Sequence, residues 1–385
     1  MFIGPVLAIG NRQFATGNRQ APTLCANVRG STVYTTRHEL EGVPNLTPQP
    51  AEVPPQAAML QLISGFWISR GVYVIAKLGI PDLLHERPMT AAELAQATDT
   101  HAPSLNRILR ALVSVGILTE TPDQKFALTP VSETLRTNKP GSLRWFAISE
   151  LGEEHYPAWG NLMYSVKTGG IAFDNHFGMD VWEFFRQNPD NAKLFNDSMS
   201  GMTAAVNEGI LARYDFSGIR KIADIGGGHG GLITSILKAN PNMKGVLFDA
   251  PLVAAGAKAA IDAAGLSDRC EVIGGDFFKS VPGGANAYIM KWIIHDWNDE
   301  QATTILRHCR NAITNDGRLL LVDVVVPPGS EPHFGKFIDL NMLVMTGGRE
   351  RTEEEFRELM AGSGFRLTRV VSTESPFSVV EGLPA

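Results

Sequence analysis

The chain has 385 residues, 44% of them hydrophobic and 19% charged, an ordinary globular composition long enough for two domains. A net charge of −6 and a pI of about 5.9 argue against nucleic acid as a partner, because a phosphate backbone calls for a basic face. Cys25, Cys270 and Cys309 follow no metal-binding spacing, which argues against a disulfide framework and for a reducing, cytoplasmic compartment.

No apolar run reaches the roughly 18 residues of a membrane span, so no membrane is expected either. Residues 1–52 hold Arg12, Arg19, Arg29 and Arg37 but only Glu39, Glu41 and Glu52 as acids. With the Pro-rich run from Pro44 to Pro55 they read as a disordered tail and linker, rather than a transit-like segment or basic arm. From Met59 to Leu84 apolar residues fall on most sides of the implied helices, which are therefore buried in a core or against a second subunit. Thr90 to Glu93 is a capping box, and Pro103 suits the first position of the next helix. There Leu105, Ile108, Leu109 and Leu112 form one apolar face. Residues 117–130 read as two short strands around a turn. Helix, turn, helix and hairpin make a winged-helix pattern. Arg107 and Arg110 are too few cations for a DNA-reading helix, so a docking or dimerisation role is the expectation.

Residues 140–215 read as helices rich in aromatic residues and methionine. Phe195, Met199 and Met202 share a helical face that suits either an aromatic pocket or a core. After Gly218 strands and helices alternate. Strands are expected at 221–225, 246–249, 270–275, 287–294 and 318–326, with a final pair at 365–372 and 377–382. Helices are expected at 231–241, 252–265, 299–313 and 353–364. This order predicts an α/β fold with a doubly wound, mostly parallel sheet. The expected limits are 53–165 for the helical domain and 166–385 for the α/β domain.

The sharpest motif is Asp224-Ile-Gly226-Gly227-Gly228-His229-Gly230-Gly231. Glycines at a strand-to-helix turn let a ligand approach the backbone. Gly226, Gly228 and Gly231 also fit a dinucleotide loop, with Asp249 as the ribose acid in either case. A mononucleotide P-loop is excluded, since no Gly-Lys-Ser/Thr follows. Three features favour a ligand with a cationic amine and an adenine. Asp224 stands two residues before the first glycine. Asp276 and Phe277 follow the third strand, and His295 and Asp296 follow the fourth. All lie where open α/β sheets bind ligands.

The set ADIGGGHGG (223–231), FDAP (248–251), GGDFF (274–278), KWIIHDWNDEQ (291–301) and GGRERTEEEF (347–356) resembles the plant-type and bacterial small-molecule O-methyltransferase family, over about residues 55–385. The resemblance implies a Rossmann-like methyltransferase domain preceded by a helical winged-helix dimerisation domain. It also implies a homodimer, S-adenosylmethionine as cofactor and a small aromatic or polyketide-like acceptor. Gly226 would contact the cofactor, Asp249 its ribose, Asp276 and Phe277 its adenine, and Lys291 a further part. His295 would be the catalytic base, flanked by Asp323 and Glu350. Trp292 and Met342 join Phe195, Met199 and Met202 as expected acceptor-pocket residues. Two departures stand out. Asp323 is shorter than the family's usual Glu, which puts its grip on His295 in question, and His229 replaces a commoner Thr.

Bland alternatives exist for each residue. Asp224 could cap strand-end amides, His295 could be a satisfied core histidine, and Glu350 could decorate the helix that Thr352 caps. A phenol near pKa ~10 lies about 3.5 units above an ordinary histidine, a gap of roughly 5 kcal/mol, and an aliphatic hydroxyl would lie far higher. A phenolic or enolic hydroxyl is therefore the expected acceptor group, with no metal, since no convergent Asp/Asn ligand set is evident. A C- or N-methyltransferase, a non-methylating enzyme on the same fold, a nicotinamide-dependent oxidoreductase and a winged-helix regulator remain as alternatives.

Overall fold

The computed structural model describes residues 53–385, so the expected tail at 1–52, Cys25 included, lies outside the described residues. The chain divides into two units, 1–66 and 67–385. In the first, helix α1 (Pro55–Ile63) starts on a proline, where the missing N–H would have had no helical partner anyway. Its Met59, Leu60, Leu62 and Ile63 are exposed. Helix α2 (Gly65–Lys77) begins after one intervening residue. The stretch Pro55–Lys77 is, by length and composition alone, long and apolar enough to cross a membrane. This corrects the expectation that no such run exists. Ser64 alone separates two apolar helices, and Arg70 and Lys77 are the only charges across them.

The second unit takes in α2 from Trp67 on, followed by α3 (Ile80–Glu86), α4 (Ala91–Thr98) and α5 (Ala102–Ser114). Thr90 and Glu93 form the expected reciprocal cap on α4. Helix α5 starts one residue before Pro103 and buries Leu105, Leu109 and Leu112. Strands β1 (Leu118–Glu120) and β2 (Phe126–Leu128) pair antiparallel, and Met89 bridges Phe126 beside them. Ile75, Ile80, Leu94, Leu109 and Phe126 lie at the centre of this winged-helix core.

Six helices follow: α6 (Arg144–Glu150), α7 (His155–Gly160), α8 (Leu162–Thr168), α9 (Ala172–Phe177), α10 (Val181–Gln187) and the long α11 (Pro189–Arg213). Phe173, Phe177 and Phe184 pack ring to ring between α9 and α10.

The α/β part runs β3 (Lys221–Ile225), α12 (Gly231–Ala239), β4 (Lys244–Asp249), α13 (Pro251–Ala263), β5 (Cys270–Gly274), β6 (Ala287–Lys291), α14 (Asp299–Ala312), β7 (Arg318–Val324), α15 (Gly335–Met345), α16 (Glu353–Gly362), β8 (Phe365–Ser372) and β9 (Phe377–Pro384). Among the described residues seven strands form one sheet in the order β5-β4-β3-β6-β7-β9-β8. Strands β3 to β7 run parallel to one another, and β9 runs antiparallel to both β7 and β8. Apolar cores cover both faces. Ile222, Leu247 and Ile289 lie in one, Ala223, Phe248 and Tyr288 in the other. That is the period-2 alternation of strands covered on both sides. The chain leaves β3 toward β4 on one side and returns as β6 on the other, so a crevice opens at the carboxyl end of β3.

Most strand and helix ends fall within two residues of the expectation, and the largest difference is at β6. Strand β6 ends at Lys291, because Trp292 takes a left-handed conformation with φ 58°. A bulky residue there is strained, and it turns Ile293 and Ile294 out of the sheet. A short 3₁₀ turn, Ile294–Asp296, then carries His295 over the sheet edge.

Candidate active site

The glycine loop leaves β3 with Gly226 and Gly228 at φ 71° and 56°, both left-handed. A Cβ on Gly226 would stand 2.4 Å from Ile293 Cδ1, so close packing requires that glycine. Beside Gly228 there is open space, which leaves its backbone free for a ligand to approach. The Gly228 amide donates to Asp249 Oδ2 at 2.8 Å, and the Ala250 amide donates to Asp249 Oδ1 at 2.7 Å. Burial raises the Asp249 carboxyl, against those two amides. The loop and the Asp249 carboxylate are thus tied to each other.

Beneath the loop Asp224 is buried, and its Oδ2 has no hydrogen-bond partner. Burial pushes it up to about 7, against the pull of Lys291. Burial likewise lowers Lys291 to about 8, with Asp224 opposing. The Lys291 ammonium donates to Thr203 Oγ1 at 2.5 Å and lies 4.2 Å from the centre of the Trp292 ring. Thr203 sits on α11, 88 residues away, and nothing in the sequence marked it.

The adenine expectation fell on Asp276 and Phe277. Asp276 is exposed, accepts the Phe278 amide at 2.9 Å and lies 3.5 Å from Lys279 Nζ. Phe277 is partly buried and meets Phe278 and Trp297 edge-on, with centroids 5.0 and 5.9 Å apart. Trp297 in turn stacks on Trp182 at 5.9 Å. Its place in this aromatic cluster was not marked by the sequence, although it closes the His-Asp-Trp triplet.

His295 Nδ1 lies 2.7 Å from Glu350 Oε1, and Nε2 lies 3.8 Å from Asp296 Oδ1. Since a carboxylate only accepts, Nδ1 carries the shared hydrogen and Nε2 is left to act. Burial by itself would lower the imidazolium, but Glu350, Asp296 and Asp323 outweigh it and push His295 up to about 10. Asp323 makes no hydrogen bond to His295. It is fully buried near the end of β7, and both its oxygens lack partners. Burial pushes it up to about 7 and pushes Asp296 up to about 6, with His295 opposing in each case. The shorter side chain explains this, since the hold on the ring passes to Glu350 on one nitrogen and Asp296 near the other.

The expected acceptor-pocket residues come from α11, the chain just after β6, and α15. Phe195 stacks on Phe185 at 4.9 Å and meets Trp182 edge-on at 6.5 Å. Met199 packs against the core of the α/β part. Trp292 is itself part of that core, against Phe377 at 4.9 Å, with its indole N–H unpartnered. Met342 is buried in α15, with its sulfur 3.8 Å from Thr346 Oγ1. The side chain of Met202 lies outside the described set.

These features fit S-adenosylmethionine. An unpartnered buried carboxylate suits a cationic amine, an open left-handed glycine suits close approach, and an aspartate tied to the loop suits a ribose.

Comparison with known proteins agrees. The O-methyltransferase domain family matches residues 159–366, and the O-methyltransferase dimerisation domain matches 60–138. The chain is 43% identical over 332 residues to the phenazine O-methyltransferase PhzM of Lysobacter antibioticus, covering 86% of this chain and 97% of that one. It superimposes on the crystal structure of LaPhzM with a TM-score of 0.83 at 43% identity, covering 86% of this chain and 100% of that one. It is 33% identical to the 8-amino-8-demethylriboflavin N,N-dimethyltransferase of Streptomyces davaonensis, over 87% of this chain and 98% of that one. The chain belongs to the S-adenosylmethionine-dependent O-methyltransferase family, with an N-terminal dimerisation domain and a Rossmann-like catalytic fold.

Proposed function

We propose that this enzyme methylates a phenolic or enolic hydroxyl of a small aromatic or polyketide-like metabolite, with His295 as the base. The observation that carries the proposal is His295, held at Nδ1 by Glu350 with Nε2 left unbonded. Bound S-adenosylmethionine supplies an electrophilic methyl group on a sulfonium. In this reading Gly226, Gly228 and Asp249 hold its ribose side, Asp276 and Phe277 its adenine, and Asp224 with Lys291 its amino-acid end.

The chain's own work is alignment and proton removal. Holding two reactants in line is worth ~7–11 kcal/mol, and a positioned base adds ~10²–10⁴-fold. An ordinary imidazole is too weak for a phenol near ~10. With Glu350, Asp296 and Asp323 around it, His295 rises to about 10, so proton transfer from a phenol becomes nearly balanced. Glu350 orients the ring and stabilises its charged form, and Asp323 adds negative charge without a bond.

The same proposal covers assembly and place. The limits 53–165 and 166–385 separate dimerisation from catalysis, and the exposed apolar residues of α1 meet a second copy in a homodimer. The enzyme works in the cytoplasm on an acceptor made by other enzymes. A second reading is N-methylation, which the name of the riboflavin-analogue relative favours. The experiment that decides is an acceptor screen with methyl-labelled S-adenosylmethionine, read by mass spectrometry. Label on the oxygen of a phenol or enol supports the proposal. Transfer only to amines, or to no hydroxyl compound, refutes it.

A further inference from the structure

The turn that carries His295 is held almost entirely by one short strip, residues 348–351. The Arg349 amide donates to the His295 carbonyl at 2.9 Å. Arg351, 1% exposed, donates from Nη1 to the Ile294 carbonyl at 3.1 Å and from Nη2 to the Trp297 carbonyl at 3.0 Å. Its Nε and Nη2 also fork onto Asp299 Oδ1 at 3.0 and 2.7 Å. The Arg351 carbonyl accepts the Val326 amide at 2.9 Å, which ties the strip to the chain just beyond β7. Between these two arginines sits Glu350, whose carboxylate holds the His295 ring. The fit leaves no slack, because a Cβ on Gly348 would stand 2.0 Å from the His295 carbonyl oxygen and 2.4 Å from the Asp296 carbonyl carbon.

We propose that Arg351 is the positioning residue of the base: it joins the 294–299 turn to the strip bearing Glu350, and so sets the separation of His295 and Glu350. Its planar guanidinium reaches three acceptors on the turn at once, two backbone carbonyls and the Asp299 carboxylate. A lysine ammonium cannot span them. Arg351 does not touch the ring. It acts through the backbone on either side of His295 and through its neighbour Glu350. The charged groups facing the imidazole are Glu350, Asp296 and Asp323, and of these only Glu350 rides on the strip that Arg351 anchors. Loosening the anchor withdraws Glu350 from Nδ1 and leaves the other two in place.

The proposal rests on His295 being the proton acceptor, so the test reads the imidazole directly as well as turnover. The Arg351→Lys and Asp299→Asn variants are compared with the parent protein. Histidine-labelled protein is titrated by NMR, with the His295 signal assigned by its loss in His295→Gln. Calorimetry measures S-adenosylhomocysteine affinity, and kcat and KM follow on any acceptor found. In Arg351→Lys the His295 midpoint is expected to fall by at least one pH unit, and kcat on the alkaline plateau, above the midpoint, by about 10–100-fold. S-adenosylhomocysteine affinity should stay within about threefold, because the strip is not among the residues assigned to hold it. Asp299 is exposed at the start of α14, so Asp299→Asn keeps the fold and should move the midpoint the same way by less. An unchanged midpoint in folded Arg351→Lys overturns the proposal. If that variant does not fold, an unchanged midpoint in Asp299→Asn overturns it. A shifted midpoint in a protein that methylates no acceptor would instead leave Arg351 as assigned and remove the proposed function.

Discussion

Glu350 Oε1 and His295 Nδ1 stand 2.7 Å apart although 55 residues separate them in the chain. This contact makes one ring nitrogen a donor and leaves the other available. It also accounts for much of the rise of His295 to about 10, against the depressing effect of burial. A base that strong is scarce in its deprotonated form at neutral pH. The sign is therefore fixed: turnover should climb with pH rather than level off near 7. Below the midpoint the competent fraction rises about tenfold per pH unit. A pH profile of kcat that is flat from 6 to 8 would contradict this.

Replacing His295 with Gln should keep the fold and the affinity for S-adenosylhomocysteine but lower turnover by ~10²–10⁴-fold. The loss should shrink as pH nears the acceptor's own pKa, where solvent supplies the phenolate. A histidine that only supports the core would lose stability and cofactor affinity together. Glu350→Gln should lower plateau turnover by less and shift the acid limb to lower pH, since the charge that raises His295 is gone. The two losses should not add, because the residues act as a unit.

Asp323 offers a test in stability. Its folded pKa of about 7 lies above the ordinary 3.8. A raised group contributes its stability fully below the unfolded value and loses it as pH rises through the folded one. The parent protein should therefore lose melting temperature between about pH 4 and pH 7 in part through Asp323. Asp323→Asn should match the parent near pH 4 and melt a few degrees higher at pH 8, at about 2–4 °C per kcal/mol for a domain of this size. Scanning calorimetry at the two pH values checks it. A variant less stable at pH 8 would mean that the carboxylate has a partner.

Asp249 accepts two backbone amides and still lies beside an open glycine. Asp249→Ala should weaken S-adenosylhomocysteine roughly tenfold to a hundredfold, the value of one charge-assisted hydrogen bond. Unchanged affinity in isothermal titration would take Asp249 out of the cofactor site.

The exposed Met59, Leu60, Leu62 and Ile63 of α1 form an apolar patch of a kind that water rarely meets unpartnered. Light scattering should give about twice the chain mass of 41.8 kDa. The double substitution Leu60→Glu and Ile63→Glu should drive the protein toward monomer. A parent protein that is monomeric and active would refute the homodimer.

Much of this protein was legible in one dimension because its signals are local. Glycines after a strand, an acid at the next strand end and a capping box at Thr352 each act within a few residues, so adjacency in sequence is adjacency in space. The alternation of strands and helices then sets the sheet, since parallel strands need crossovers. The exceptions are contacts across distance. Trp292 read as strand and pocket, because apolar patterning says nothing about φ. Its left-handed turn, which decides where His295 emerges, is imposed by the packing around it. Thr203 holds Lys291 from a distant helix, and Arg351 grips the His295 turn from more than 50 positions away. Asp323 could be named from the sequence, but whether one lost methylene leaves it bonded or orphaned depends on distances in ångströms. The sequence determined which groups line the sheet edge, and the tertiary structure decided which of them touch, because side-chain reach is short while the chain between them is long.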